Sequence, residues 1–123
     1  MMAVDFQIPA ARFGDDHSPF LSARLVADRL GVTLAELAKL IGVARNTLTA
    51  KSGARKVDGA LSKVVRILAM ASEMAGDEAR AVIWFKHQPI PGWAGKTAFD
   101  LVGEGKADKV LAYLESVRAG VYA

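Results

Sequence analysis

Cysteine is absent from this sequence of 123 residues, and so is any long apolar run. Without cysteine the chain forms no disulfide and no thiolate metal site, which suits a reducing cytoplasm. No run approaches the roughly 20 apolar residues of a membrane-spanning helix, and the N-terminus lacks the basic start and apolar core of a signal peptide. We therefore expect a cytoplasmic protein that does not contact a membrane.

Residues typical of catalytic sites are scarce as well. The two histidines, His17 and His87, are far apart, and the sequence shows no serine–histidine–aspartate order and no metal-ligand spacing. Residues 103–106 (GEGK) resemble part of a phosphate-binding loop, but the preceding glycine is missing and a helix-breaking linker explains them better. We expect no enzymatic activity, no metal and no cofactor.

The distribution of apolar residues predicts an all-α fold. No β alternation of useful length occurs, whereas apolar residues recur at helical spacing between capping residues, prolines and glycines. A loose arm is expected over residues 1–17, and a linker or irregular turn over residues 53–60. The predicted helices begin near Ser18-Pro19, Thr33, Arg45, Leu61, Glu78, Thr97 and Lys106, and they end near Leu30, Ile41, Ser52, Ala75, Lys86, Gly103 and Arg118.

Three of these helices carry the apolar stripes that we expect to form most of the core. Trp84 follows an apolar run and is also assigned to the core rather than to a binding surface. The predicted core residues of these helices are Leu61, Val64, Val65, Leu68, Ala71, Met74, Val82, Ile83, Phe85, Val110, Leu111, Leu114 and Val117.

Residues 33–52 have the spacing of a helix-turn-helix. Ala38 stands where two steeply crossing helices come close, and Gly42, four residues later, supplies a turn with positive φ. Leu37 and Ile41 share one face of the second helix, Val43 turns inward after the glycine, and Leu48 fills the core from the third helix. These offsets match the DNA-binding motif. The same pattern is compatible with an αα-hairpin that never contacts DNA.

Positive charge is concentrated in and after this segment. Residues 39–66 contain seven Lys or Arg and one Asp, a balance of +6, whereas residues 1–38 sum to −2 and residues 67–123 sum to −1. Such a cluster is the electrostatic footprint expected for a polyanion. It therefore favours DNA binding over the αα-hairpin alternative.

We predict that the third helix enters the major groove of DNA. Arg45 and Asn46 suit guanine and adenine edges respectively, while Lys51 and the basic residues after it suit phosphates. A homodimer on a palindromic operator is expected, because one such motif rarely covers enough DNA, and helices 61–75 and 78–86 are its candidate interface. The predicted DNA contacts are Arg45, Asn46, Thr47, Thr49, Lys51, Ser52, Arg55 and Lys56.

The C-terminal half contains a distinctive order of elements. A helix with Trp84 is followed by a turn with two prolines and the loop GWAGKT (residues 92–97). A short helix containing FDL (residues 99–101), a final helix and a terminal GVYA complete the chain. Together with the preceding helix-turn-helix, this order resembles the Xre/MbcA/ParS-type antitoxin family over roughly residues 20–123.

The resemblance extends to individual loop positions. The family loop commonly reads P-N-P-x-L-G-G-x-x-P before an apolar-Asp-Leu segment, and Gly95, Thr97, Asp100 and Leu101 agree with it. The asparagine of the family loop is missing here. Trp93, Ala94 and Ala98 stand where the family has Leu, Gly and Pro.

This resemblance implies a type II antitoxin. Its C-terminal module would bind a RES-domain toxin that consumes NAD or transfers ADP-ribose from it, and would block the toxin's NAD pocket. Its Xre-type helix-turn-helix would make it a repressor of its own operon. The predicted toxin contacts are Trp93, Gly95 and Lys96 in the loop and Val121, Tyr122 and Ala123 in the tail.

The tail has one aromatic side chain and a terminal carboxylate, and we expect it to enter a pocket built for an anionic dinucleotide. Two alternatives are a tail without a function and a Trp93 that packs on the final helix. A third is a free-standing transcription regulator whose C-terminal half only dimerises or binds a ligand.

We divide the chain into the arm (1–17), a helix-turn-helix domain (18–60), a connecting or dimerisation helix (61–76) and a toxin-binding domain (77–123).

Overall fold

The computed structural model describes residues 22–49 and 54–120. Within these ranges no strand occurs, and an isolated antiparallel β-bridge pairs Pro89 with Thr97. The predicted all-α fold class is confirmed. The helices of the described ranges are α1 (Ala23–Leu30), α2 (Leu34–Ile41), α3 (Arg45–Thr49), α4 (Ala54–Ala75), α5 (Glu78–His87), α6 (Ala98–Gly103) and α7 (Ala107–Arg118).

Helix α1 begins later than the sequence suggests. Ser22 is extended, and its hydroxyl oxygen accepts a hydrogen bond from the Leu25 N–H at 3.3 Å. This bond satisfies one of the free N–H groups of the first turn and makes Ser22 the N-cap. The predicted cap at Ser18 is therefore wrong for this helix; residues 18–21 themselves lie outside the described residues.

Helix α2 begins and ends where the sequence predicts. The Glu36 N–H donates to the Thr33 hydroxyl at 3.0 Å, and the Thr33 N–H donates to the Glu36 carboxylate at 2.8 Å. This reciprocal pair is the predicted capping box. Gly42 ends the helix with φ of 76°, a conformation that glycine adopts without steric cost.

Helix α4 corrects the prediction of a linker over residues 53–60, because residues 54–60 are its first turns. Val57 is only 3% exposed and precedes the buried Leu61 by one turn, so the apolar stripe extends towards the N-terminus. Gly59 costs the helix about 1 kcal/mol relative to alanine. Burial of a valine side chain stabilises the fold by more, about 1.5–3 kcal/mol.

The described helices share one hydrophobic core with α4 at its centre. Helix α4 contacts α1, α2, α3, α5 and α7. The core cluster includes Leu37 of α2 and Leu101 of α6, so residues on both sides of Gly76 contribute to it. The fully buried residues of α4 are Leu61, Val64, Ile67 and Leu68.

Two residues that we assigned to the core are exposed. Ile83 is 61% exposed and Met74 is 39% exposed. Ile83 lies on the side of α5 opposite Ala81 and Phe85, because each residue advances a helix by about 100°. Trp84 packs against the core but stays partly exposed.

The C-terminal helices begin close to their predicted residues. Asp77 caps α5 by accepting a hydrogen bond from the Arg80 N–H at 2.7 Å. Thr97 and Asp100 form the predicted capping-box pair of α6, with bonds of 3.0 and 3.1 Å. Helices α5 and α6 are joined by the edge-to-face rings of Phe85 and Phe99, whose centroids are 6.0 Å apart.

Candidate functional site

The chain between α5 and α6, residues 88–96, forms a closed loop that we call the Trp93 loop. Its two ends are held together by the Pro89–Thr97 bridge and by a 2.8 Å hydrogen bond from the Ile90 N–H to the Lys96 carbonyl. Its prolines exclude regular helix, as the sequence predicts. The loop is therefore a closed unit between the two helices.

Hydrogen bonds inside the loop fix the position of Trp93. The Trp93 N–H donates to the Ile90 carbonyl at 3.3 Å, and the Lys96 N–H donates to the Trp93 carbonyl at 3.0 Å. Ile90 is only 2% exposed and anchors the loop in the core. Trp93 is thus an aromatic side chain on a backbone that is already ordered before any partner binds.

Ala94 adopts a backbone conformation that favours glycine. Its φ is 54°, between Gly92 at 87° and Gly95 at 82°. The left-handed region costs a residue with a Cβ about 1–2 kcal/mol. The loop keeps this conformation with alanine at position 94, so its internal hydrogen bonds set the backbone shape here.

Four side chains meet beside the loop, and we call them the Glu104 cluster: Trp93, Lys96, Glu104 and Lys106. The Lys96 Nζ lies 2.8 Å from one oxygen of Glu104, and the Lys106 Nζ lies 3.2 Å from the other. The Lys106 Nζ also lies over the Trp93 ring, 5.6 Å from its centroid. Hydrogen bonds from Lys96 and then Lys106 hold the pKa of Glu104 below its usual value.

The structure brings three of the predicted toxin contacts together in the Trp93 loop: Trp93, Gly95 and Lys96. Trp93 is partly buried and packs against the core cluster, so part of its surface is still accessible to a partner. The tail residues Val121, Tyr122 and Ala123 lie outside the described residues.

Sequence reasoning missed Glu104 and Lys106, which it treated as part of a helix-breaking linker. The sequence offers one signal for the cluster, namely opposite charges at Lys96, Glu104 and Lys106. Nothing local predicts that they meet, because helix α6 separates Lys96 from the other two.

Helices α2 and α3 are packed as the predicted spacing requires. Leu37, Ala38 and Leu48 are all buried, with exposures of 0%, 3% and 7%. The Val43 N–H donates to the Ala38 carbonyl at 2.9 Å, and Gly42 has the expected positive φ. The small residue, the turn glycine and the apolar anchors therefore occupy the positions that we inferred for them.

The predicted DNA contacts are only partly covered by the described residues. Arg45 and Asn46 are exposed on α3, whereas Thr47 is half-buried. Lys51 and Ser52 lie outside the described residues. For Thr49, Arg55 and Lys56 the structure describes the backbone, which is helical, but not the side chains.

Two cations of the basic stretch are paired with carboxylates of α7. The Lys63 Nζ lies 3.2 Å from Asp108, and the Arg66 guanidinium lies 3.6 Å from Glu115. These exposed pairs place two negative charges beside the positive charge of α4. The +6 balance of the sequence therefore overstates the charge that this part of the chain offers to a polyanion.

Two open grooves lie between the N-terminal and the C-terminal helices. The first, of about 340 Å³, is bordered by α2 and α6, and its acidic residues Glu36 and Asp100 are both engaged in capping boxes. The second, of about 430 Å³, is lined mainly by small and apolar residues. Its lining residues are Ile41, Gly59, Ala60, Lys63, Val102, Gly105 and Ala107.

Metal-binding and membrane-spanning features were sought over residues 22–49 and 54–120. In these ranges no group of histidine, aspartate and glutamate side chains is arranged to hold a metal ion. None of the helices there combines the length and the apolar character needed to cross a bilayer.

Comparison with known proteins gives one match. Residues 70–120 match the model of the antitoxin Xre/MbcA/ParS C-terminal toxin-binding domain. The matched residues include the Trp93 loop and the Glu104 cluster. Neither the curated proteins nor the solved structures provide a match to the chain. The resemblance predicted from the sequence is confirmed over these residues. Residues 70–120 are thus similar to the toxin-binding domain of the Xre/MbcA/ParS antitoxins.

Proposed function

We propose that this protein is the antitoxin of a type II toxin–antitoxin system and neutralises a RES-domain toxin that consumes NAD. The observation that carries the proposal is the match of residues 70–120 to an antitoxin toxin-binding domain. The RES domain of the toxin is proposed from the resemblance of roughly residues 20–123 to antitoxins that pair with RES-domain toxins. The protein itself would have no enzymatic activity and would act in the cytoplasm.

The Trp93 loop is the part of the domain best suited to contact the toxin. Tryptophan is enriched among residues that dominate binding energy, and an ordered loop loses little conformational entropy on binding. Trp93, Gly95 and Lys96 would contact the rim of the active site. The tail, Val121 to Ala123, would enter the NAD pocket and block it.

The N-terminal helices would give the antitoxin its second activity, repression of its own operon. The interpretation of α2 and α3 as a helix-turn-helix is supported by the buried Ala38 and Leu48 and by the turn at Gly42. Exposed Arg45 and Asn46 are available to read base edges. A homodimer would place two such helices on a palindromic operator.

The candidate dimer surface lies on α4 and α5. Ile83 and Met74, at 61% and 39%, are two of the large apolar side chains that stay exposed on the described surface. A contiguous patch of exposed apolar residues marks a protein interface, and we propose that Ile83 and Met74 belong to one. We expect Ile83→Asp to shift the free protein from dimer to monomer in sedimentation analysis.

Co-expression tests the antitoxin proposal. The full chain is expressed with the product of the gene beside its own, which the proposal requires to be a RES-domain protein, and growth and cellular NAD are measured. The wild type should restore both, and deletion of residues 121–123 should abolish this protection while DNA binding persists. Lys109→Ala, an exposed change on α7, is the matched control and should protect fully. Full protection by the deletion variant would refute the blocking role of the tail, and no protection by the wild type would refute the proposal.

The second candidate is a free-standing transcription regulator whose C-terminal half only dimerises or binds a ligand. The exposed Ile83 favours this candidate as far as dimerisation is concerned. Purification from cells that express the whole operon separates the two proposals. An antitoxin yields a stable complex with a second chain, whereas a free-standing regulator yields one chain alone.

A further inference from the structure

We infer that Glu104 is the positioning residue of the toxin-binding surface. It holds the ammonium groups of Lys96 and Lys106 beside Trp93, so that the surface recognises a carboxylate-bearing segment of the partner protein. This inference rests on the proposed antitoxin function and specifies the chemistry of the partner surface. Its first step, the positioning of the lysine ammonium groups beside Trp93, is testable without any partner.

Glu104 is well placed to act as a fixed anchor. It follows α6, and its N–H donates to the carbonyls of Asp100 and Leu101, each at 3.1 Å. Lys106 is held by the same turn, since its N–H donates to the Leu101 carbonyl at 2.8 Å. The backbone beneath the carboxylate is therefore ordered by α6, and the carboxylate can in turn order the two lysine side chains.

The two lysines keep part of their hydrogen-bonding capacity for a partner. Each ammonium group has three N–H donors, and Glu104 is the one carboxylate that they share. The side chains of Lys96 and Lys106 are 42% and 43% exposed. Two cations on one anion leave one excess positive charge, next to the accessible part of the Trp93 ring.

This combination fits a carboxylate better than other groups. An ammonium group forms its strongest hydrogen bonds with ionised oxygens, and the indole offers apolar area for the carbon atoms that carry the carboxylate. A phosphate of nucleic acid would also satisfy the charge. The cluster lies within the residues that match a toxin-binding domain, so we assign it to an acidic segment of a protein partner.

Trp93 fluorescence tests the positioning step. The chain has two tryptophans, so Trp84→Phe leaves Trp93 as the sole emitter. In this background, Glu104→Gln should raise acrylamide quenching of Trp93 and weaken its near-ultraviolet circular dichroism, because Lys106 is no longer held over the ring. Glu104→Asp should restore most of the wild-type signal, and Glu73→Gln, an exposed change on α4, should leave it unchanged. Equal signals in the Gln variant and the wild type would overturn the positioning role.

Binding of the full chain to the toxin that the proposed function requires, the RES-domain product of the gene beside its own, tests the recognition step. Lys96→Ala and Lys106→Ala should each weaken binding about fivefold, mainly through slower association at low salt. Glu104→Gln raises the local positive charge by one, so it should not slow association; it should weaken binding by a similar factor through faster dissociation, because the two ammonium groups are no longer held in place. Lys109→Ala is the matched control, because it removes an exposed lysine of α7 that is not one of the four cluster residues, and it should change the affinity less than twofold.

The outcomes of this experiment separate the inference from the proposed function. Wild-type binding with unchanged affinity in both cluster lysine variants overturns the inference and leaves the antitoxin proposal intact. Tighter binding by these variants shows a basic partner surface and also overturns it. The same variants are also titrated with duplex DNA, and reduced DNA affinity with unchanged toxin binding assigns the cluster to nucleic acid and overturns the inference. If the wild type binds no toxin, both the proposed function and the acidic partner are refuted.

Discussion

Arg29 and Glu78 join helix α1 to helix α5. The Arg29 Nη1 donates hydrogen bonds to both carboxylate oxygens of Glu78, at 3.2 and 3.0 Å. Lys86 of α5 adds a second connection by donating to the Leu30 carbonyl at the end of α1, at 3.1 Å. Helix α1, which lies outside the toxin-binding match, is thus bonded through two residues to α5, which lies inside it.

The first prediction concerns the strength of this connection. The side chains of Arg29 and Glu78 are 32% and 26% exposed, so water screens their attraction less than that of a fully exposed pair. A double-mutant cycle with Arg29→Met and Glu78→Gln should give a coupling energy of about 1 kcal/mol in urea unfolding. The Arg66–Glu115 pair, at 65% and 49% exposure, is the control and should couple by about 0–0.5 kcal/mol. Equal coupling of the two pairs would contradict the role of partial burial.

The second prediction tests the close approach of helices at Ala38. This residue is 3% exposed between α2 and its neighbours, whereas Ala35 on the same helix is exposed. Ala38→Leu should destabilise the protein by about 1–3 kcal/mol, because a well-packed site cannot accept three more carbon atoms without strain. Ala35→Leu introduces the same side chain into solvent and should change the unfolding free energy by less than about 0.5 kcal/mol. Similar losses in the two variants would show that Ala38 does not sit at a tight crossing.

Much of the helical order could be predicted because its signals are local. The pairs Thr33–Glu36 and Thr97–Asp100 are three residues apart, and each forms its capping box from atoms of one helical turn. The prolines of the Trp93 loop exclude helix for reasons intrinsic to proline. Features of this kind need no knowledge of distant contacts.

The errors came from tertiary contacts. Gly59 suggested a linker, but the burial of Val57 against the other helices keeps residues 54–60 in α4. Ile83 belongs to an apolar run and was assigned to the core, although only packing decides which side of α5 faces it. The Glu104 cluster was missed for the same reason, because the turn after α6 is what brings Glu104 back to Lys96.

The third prediction compares two glycines with different backbone conformations, Gly59 in a helix and Gly42 at a turn with positive φ. Gly59 is helical, and a Cβ there would meet nothing within 4 Å, so Gly59→Ala should raise the unfolding free energy by about 0.5–1 kcal/mol. Gly42 has φ of 76°, which strains a residue with a Cβ. Gly42→Ala should therefore lower the unfolding free energy by about 1–2 kcal/mol. Thermal unfolding of both variants measures the two signs. A stabilising Gly42→Ala would rule out the tight turn between α2 and α3.

The fourth prediction concerns the acid sensitivity of the capping box. Hydrogen bonds from the Thr33 backbone and then the Thr33 hydroxyl lower the pKa of Glu36 from 4.5, and the charge of Lys86 adds to this. A lowered folded-state pKa means that the ionised Glu36 stabilises the fold above its unfolded pKa. This contribution is lost as the pH falls through the folded pKa.

Unfolding free energy measured from neutral pH down to about pH 3 checks this prediction. Glu36→Gln should flatten the decline of stability below about pH 4.5, because the variant has no proton to bind at this position. Glu73→Gln, a change on the exposed surface of α4, is the control for removing one carboxylate. A wild-type slope in the Glu36 variant would mean that the capping box does not contribute to acid denaturation.

The fifth prediction divides the work of DNA binding between two basic residues. Arg45 is exposed on α3 and is expected at a guanine edge, so Arg45→Ala should reduce the preference for a selected duplex over a scrambled one by about 1–3 kcal/mol. Lys56 is expected at a phosphate. Lys56→Ala should weaken binding to both duplexes alike and reduce the slope of log K against log salt by about one unit.

Fluorescence anisotropy over a series of salt concentrations measures both effects, with a duplex first selected from random-sequence DNA. Lys109→Ala changes the net charge by the same amount on helix α7 and should leave both the preference and the slope unchanged. If Arg45→Ala weakens binding to the selected and the scrambled duplex alike, so that the preference for the selected duplex is unchanged, α3 contacts only the DNA backbone. If neither variant differs from the Lys109 control, helices α2 and α3 form an αα-hairpin without contact to DNA, and repression must use another part of the chain.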